Sequence, residues 1–384
     1  MKFAKTRIFA LALLMLMSVA LVGCELTESE DQKQTVIFSD LNWTSAQFQN
    51  RVAQYILEKG YDYPTDVVFG GTLPLFQGLR RGDSHVTMEI WLPNQDEPWM
   101  EAQAAGEVVS VGASLGEDWQ SAFVIPKYLQ EQYPDLDSIE DLKEERFKEL
   151  FSTAETGGKA RLVSCVIGWA CEEVNAQQIE GYGLSEHVHI INPGDGAAAN
   201  ADLYGAYERG EPWLGYQWGT NDPAVELELA LLEEPPYSDE CWFTTKACAY
   251  EPATILIAVH PDLFAAAPDV VAVLRAWDMN IERYDAVGKW RRQNEGVSIN
   301  DTALWWLNNN VEVWSGWVTE EAAEKISAAL AESEVADGWP TEKLRLPIAG
   351  GAGFGLRAFA VRLVPARPGS VCGPEVEGLR KPAP

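Results

Sequence analysis

Short runs of β-branched and aromatic residues alternate with helical stretches over most of this chain, and that alternation limits its fold more than any other feature. Residues 35–39 (TVIFS) read as a buried strand. Residues 45–59 read as a helix, with Phe48, Val52, Tyr55 and Ile56 on one side. Thr44 and Gln47 have the spacing of a capping box, and Gly60 is placed to stop the helix. Residues 67–69 and 85–91 are the next strands, with a short helix near 73–79 between them. Residues 122–125 form an apolar run, and further strands are expected at 161–167, 187–191, 214–218 and 255–259, with helices between most of them and one at 223–232. From 262 to 331 the pattern is mostly helical. Strands that alternate with helices predict an α/β architecture with largely parallel sheets. A chain of 384 residues can bury the cores of two such lobes.

Acidic residues outnumber basic ones 58 to 29, for a formal charge of −29. No basic face is available to track phosphates, which excludes nucleic acid as a partner, and attraction to anionic lipid is excluded on the same ground. The basic residues Lys2, Lys5 and Arg7 precede an apolar run over residues 8–22. That run is too short for a membrane span and the right size for the core of a signal peptide. It ends in Leu21-Val22-Gly23-Cys24, which resembles the bacterial lipobox, where the cysteine thiol takes a diacylglycerol. Residues 1–23 are therefore expected to be a lipoprotein signal peptide and 24–34 a polar tether lipidated at Cys24. This places the protein extracytoplasmically, anchored on the outer face of a bacterial cytoplasmic membrane or in the periplasm. An ordinary signal peptide followed by a chance cysteine is the competing reading.

Five cysteines remain, and an exported chain favours disulfides. The short spacings suggest two local pairs, Cys165 with Cys171 and Cys241 with Cys248, although spacing alone does not fix connectivity. Cys372 is left over in a Pro/Gly-rich tail. The absence of CxxC and a total of 4 histidines speak against zinc.

Tryptophan carries the functional signal, with 15 in the chain. Trp99, Trp277, Trp290, Trp339 and the helical group Trp305, Trp306, Trp314 and Trp317 are assigned to packing. Four others share a different kind of place. Trp43 follows the first strand, Trp91 ends the strand 85–91, Trp169 follows the strand 161–167, and Trp218 ends the strand 214–218. Trp119, near another strand start, is a fifth candidate. Ligands of open α/β sheets bind at the carboxyl ends of the strands. By alternation Trp91 should share a face with Glu89, opposite Val86, Met88 and Ile90. Converging indole faces suit a quaternary ammonium, which cannot donate a hydrogen bond and is held by π faces. A sugar-stacking or purely hydrophobic cleft is the alternative.

The segment Cys165-Val-Ile-Gly-Trp-Ala-Cys171 adds a second feature. A bridge there would pin a tight strand-to-helix turn and leave the N–H groups of Ala170 and Cys171 free for an anion at a helix N-terminus. It could equally be a staple with no ligand role. A cation cage beside an anion cradle fits a trimethylammonium carboxylate. Asp40 and Glu89 flank the cage in sequence, either as counter-charges for a cation or as structural acids.

The segments VIFSDLNWTS (36–45), GLRRGDSHVTMEIWLP (78–93), CVIGWAC (165–171), GEPWLGYQW (210–218), PPYSDECW (235–242) and ALWWLNNNVEVWSGWV (303–318) are similar to the glycine betaine/choline-binding proteins of ABC importers. That family has the type II periplasmic-binding fold, two α/β lobes joined by a hinge with the ligand cleft between them. The resemblance implies a first lobe over 35–118 plus 252–345, a second over 119–251, and a C-terminal Pro/Gly-rich extension over 346–384. The crossings would lie near 115–125 and 245–255. It implies Trp91, Trp169 and Trp218 as cage walls, with Trp43 and Trp119 at positions aromatic in some members. Ala170 and Cys171 would donate to the carboxylate. Some members place a histidine four residues after the Trp91 position; here Gln95 stands there and can donate without charge. The implied partners are a small quaternary ammonium ligand, an ABC permease and an ATPase, with no cofactor.

An exported enzyme acting on quaternary amines is a rival reading, and so is a ligand-binding sensor. The enzyme would need a nucleophile and a base, yet His85, His187, His189 and His260 are the histidines present and no GxSxG occurs. Gly351-Ala-Gly353-Phe-Gly355 lacks dinucleotide-binding spacing. No catalytic or metal-binding residue is assigned.

Overall fold

The computed structural model describes residues 33–115, 121–294 and 296–336. The expected signal peptide, Cys24, Trp119, Trp339, Cys372 and the segment 346–384 lie outside the described residues. The strands in chain order are β1 (Val36–Leu41), β2 (Thr65–Gly70), β3 (Val86–Leu92), β4 (Val109–Ala113), β5 (Ser121–Pro126), β6 (Ala160–Val163), β7 (Val188–Ile191), β8 (Gly215–Trp218), β9 (Leu229–Leu231) and β10 (Thr254–Val259).

These strands form two sheets of the same design, β2-β1-β3-β10-β4 and β7-β6-β8-β5-β9. In the first, β1 runs parallel to β2 and β3, and β10 is antiparallel to β3 and β4. In the second, β6 runs parallel to β7 and β8, and β5 is antiparallel to β8 and β9. The chain leaves the first sheet after β4 and returns to it as β10, so each antiparallel insertion adjoins a crossing between the sheets. The parallel strands point their carboxyl ends toward the loops that carry Trp43, Trp91, Trp169 and Trp218, which is where such sheets hold ligands.

The helix Thr44–Tyr61 covers the first sheet with Phe48, Val52, Ile56 and Leu57, all fully buried. Two expectations about its ends fail. Trp43, not Thr44, is the N-cap, in extended conformation and without a side-chain cap bond, so no capping box forms. Gly60 does not stop the helix; Asp62 does, in the left-handed region at φ 57°. Gly60 instead admits the helix Glu320–Ala336, since a Cβ there would lie 2.9 Å from Ile326 Cδ1. The region 223–232 divides into a short helix, Asp222–Glu226, and β9.

The alternation expected of β3 is also broken. Ala258 faces Thr87 and Leu256 faces Ile90, so three steps along β3 match two along β10. The extra residue shifts the parity. Trp91 joins the core cluster that holds Val86 and Met88, while Ile90 packs with Phe76, Leu79 and Trp99 in another. Trp91 does remain beside Glu89, which accepts its indole N–H at 2.8 Å. Most of the tryptophans assigned to packing are core: Trp306 and Trp314 are fully buried, and Trp277 lies 4.4 Å from Trp317. Trp290 and Trp305 stack on each other at 4.4 Å.

Candidate functional site

Four strand ends deliver the four indoles to one place. The loop after β1 carries Trp43, the end of β3 carries Trp91, the turn after β6 carries Trp169, and β8 ends on Trp218. The turn before Trp169 needs Gly168 in the left-handed region, at φ 88°. Its N–H donates to the Glu172 carboxylate at 2.7 Å, and a disulfide from Cys165 to Cys171 spans the turn. A second disulfide joins Cys241 to Cys248.

Trp43, Trp91, Trp169 and Trp218 line a cavity of about 40 Å³ together with Thr72, Asn94, Gln95, Ala170, Cys171 and Tyr216. Trp169 stands edge-on to Trp43 at 5.3 Å and to Trp218 at 5.2 Å, and Tyr216 stacks on Trp218 at 6.1 Å. Three of the indole N–H groups are spent on protein acceptors. Trp169 Nε1 donates to Asn42 Oδ1 at 2.5 Å, and Trp43 Nε1 and Trp91 Nε1 each donate to Glu89 Oε2 at 2.8 Å. What these rings offer a ligand is therefore their π surface.

The other end of the cavity is polar. Trp169 is the N-cap of the helix Ala170–Gly181, so the amides of Ala170 and Cys171 precede its first intrahelical bond and face outward from the helix start. Gln95 is buried, and its Oε1 and Asn94 Oδ1 have no hydrogen-bond partner among the described residues. Rotating the Gln95 amide presents its NH₂ to an acceptor at no cost in packing.

Neither acid flanking the cage lines the cavity. Asp40 is held by Arg51 at 2.7 Å and by Asn50 at 2.9 Å, a structural pairing. Glu89 lies behind the indoles, fully buried; burial pushes its carboxyl up, and the N–H bonds from Trp43, Trp91 and Gln49 pull it back.

Sequence reasoning missed Thr72, Asn94 and Tyr216. Tyr216 was accessible to it, because residues two apart on a strand share a face and Tyr216 precedes Trp218 by two. Thr72 and Asn94 had no such signal. The first opens a helix and the second sits in a turn, and only tertiary contact brings them to the indoles.

Loops of the two sheets meet around the cavity. Leu73 N–H donates to Gly168 O at 3.2 Å. Lys246 lies 3.7 Å from Glu97, and burial pushes the neighbouring Asp96 carboxyl up to about 6.

A family profile described as the substrate binding domain of ABC-type glycine betaine transport system matches residues 34–309. The glycine betaine-binding periplasmic protein OusX of Dickeya dadantii (strain 3937) is 30% identical over 174 residues, which cover 44% of this chain and 50% of that protein. The chain thus spans about half the length of the curated relatives it matches. Among solved structures, an ABC-transporter choline binding protein in complex with choline superposes with a TM-score of 0.63 at 18% identity, over 77% of this chain and 98% of that one. Lactococcal OpuAC, closed and complexed with glycine betaine, superposes with a TM-score of 0.59 at 16% identity, over 75% of this chain and 100% of that one. These superpositions establish the type II periplasmic-binding fold.

Proposed function

The chain belongs to the family of substrate-binding domains of ABC-type glycine betaine transport systems, and from that premise we propose that it is an extracytoplasmic receptor for glycine betaine or a related quaternary ammonium compound. The observation that carries the reading is the meeting of Trp43, Trp91, Trp169 and Trp218, from four separate strand ends, around one cavity. Each desolvated indole face contributes on the order of 0.5–2 kcal/mol toward a cation. Four such faces supply much of the roughly 8 kcal/mol that micromolar binding requires. The amides of Ala170 and Cys171, with Gln95, take the carboxylate.

In this reading the lobes are 35–118 plus 252–345 and 119–251, and they close over the ligand by bending at the crossings. The closed form is presented to a membrane permease driven by a cytoplasmic ATPase, and no bond in the ligand is made or broken. Cys24 carries the lipid that keeps the receptor near its permease. Trp119, between β4 and β5, is retained as a fifth wall.

Calorimetry with glycine betaine, proline betaine, choline and carnitine at physiological salt tests the reading. Saturable binding of at least one, without turnover, is expected. Absence of binding by all four, or conversion of any of them, overturns it.

A further inference from the structure

Glu89 is fully buried in the wall behind the cavity, on no ion pair among the described residues. It receives three N–H hydrogen bonds, each of 2.8 Å: Trp43 Nε1 and Trp91 Nε1 reach Oε2, and Gln49 Nε2 reaches Oε1. The direction of every bond is settled by chemistry. Indole is a donor only. The Gln49 amide is oriented by its other end, where Oε1 accepts from Ser114 Oγ at 2.9 Å and from Trp277 Nε1 at 3.0 Å. Its NH₂ must therefore face Glu89. Burial pushes this carboxyl up, and four donors oppose it: the two indoles, the Gln49 amide and the hydroxyl of Ser45, which has no other partner among the described residues; together they satisfy the carboxyl as an anion.

Two consequences follow for the cage. Both indole N–H groups converge on a single oxygen, so the orientations of Trp43 and Trp91 share one pivot. Trp43 also touches Trp169 of the other sheet. In addition, a charge-assisted bond to an anion polarises each indole and enriches its π face, and the low local dielectric preserves the effect. The register shift in β3 makes the arrangement possible by turning Glu89 to the side of the helix Thr44–Tyr61.

We propose that Glu89 is the positioning residue of the cage, fixing Trp43 and Trp91 through one oxygen and supplying the buried negative charge that makes their faces select a cation over its neutral isostere. The inference rests on the receptor reading above. It separates two properties that a purely steric cage would not: geometry, set by the position of the oxygen, and charge preference, set by its ionisation.

The test compares glycine betaine with 3,3-dimethylbutanoate, in which carbon replaces the quaternary nitrogen, by calorimetry on the wild-type protein, Glu89→Gln and Glu89→Asp. The wild type is expected to prefer betaine by about tenfold or more. Glu89→Gln keeps an oxygen in place and removes the charge; it should lose about fivefold in betaine affinity while binding the isostere within about twofold of wild type. Glu89→Asp keeps the charge and withdraws the oxygen; it should weaken both ligands together and retain the preference. The proposal is overturned if Glu89→Gln binds both ligands as the wild type does, if it loses both in equal proportion, or if Glu89→Asp loses the preference. Should the wild type bind none of glycine betaine, proline betaine, choline and carnitine, the receptor reading fails instead; binding of one of them with no preference for glycine betaine over the isostere overturns this proposal alone.

Discussion

Gly71 and Gly168 touch backbone to backbone across the seam between the two sheets. A Cβ on Gly71 would lie 3.1 Å from the Gly168 carbonyl oxygen, the same oxygen that accepts the N–H of Leu73 at 3.2 Å. A side chain at Gly71 would crowd that oxygen and push the helix Thr72–Arg81 away from the turn that positions Trp169.

Gly71→Val should therefore hold the seam open. Its Cβ would already lie tight against that oxygen and its two γ-methyls add to the crowding, so the arrangement with the indoles in contact loses population. We expect ligand affinity to fall by about tenfold with little change in the thermal midpoint of the free protein. Equal affinity by calorimetry would show that the seam does not close on the ligand.

Replacing single cage walls separates ring from shape. Trp91→Ala, Trp169→Ala and Trp218→Ala should each weaken betaine binding by about tenfold or more. Trp169→Phe keeps a π face but gives up the bond to Asn42, so it should fall between the wild type and the alanine variant. Normal binding by all three alanine variants would dismiss the cage.

The two disulfides should differ in what they support. Removing Cys165–Cys171 by the double alanine variant releases a short loop, worth about 2 kcal/mol of stability. It also frees the turn that aims Trp169 and the amides of Ala170 and Cys171, so affinity should drop several-fold. Removing Cys241–Cys248 should cost similar stability and spare the affinity. Paired thermal melts and titrations distinguish these outcomes.

Two half-buried carboxyls set a pH dependence of stability. Burial pushes Asp96 up to about 6 and Glu234 up to about 7, from ordinary values of 3.8 and 4.5. The folded protein thus holds these protons more tightly than the unfolded chain does. Their contribution is fully present below about pH 4 and is lost as pH rises through about 6 and then about 7. Glu234→Gln should flatten its share of the decline, raising stability at pH 8 by on the order of 1 kcal/mol once solvent exposure is allowed for. Melts at pH 5 and pH 8 check this; an unchanged slope would remove Glu234 from the account.

Much of the fold was legible because strand and helix periods are local. The strand 35–39, the helix 45–59 and the strand 85–91 all occur within a few residues of their expected bounds. The failures have tertiary causes. Gly60 looked like a stop signal, yet it serves the packing of Ile326, a residue far along the chain. Thr44 looked like a cap, but Trp43 takes that position while its indole is tied to Glu89. Strand β4 at 109–113 was not anticipated, since its partner β10 arrives only after the whole second sheet.

Placement of tryptophans at strand ends was readable from the chain alone, because the carboxyl end of a parallel strand is a position that local pattern defines. So was the turn between Cys165 and Cys171. Which way each indole faces was decided elsewhere: by an extra residue in β3 that redirects Glu89, by Asn42 reaching Trp169 across the seam, and by Gln49 fixed through Trp277. Hydrogen-bond direction depends on partners distant in sequence, and no local periodicity encodes them.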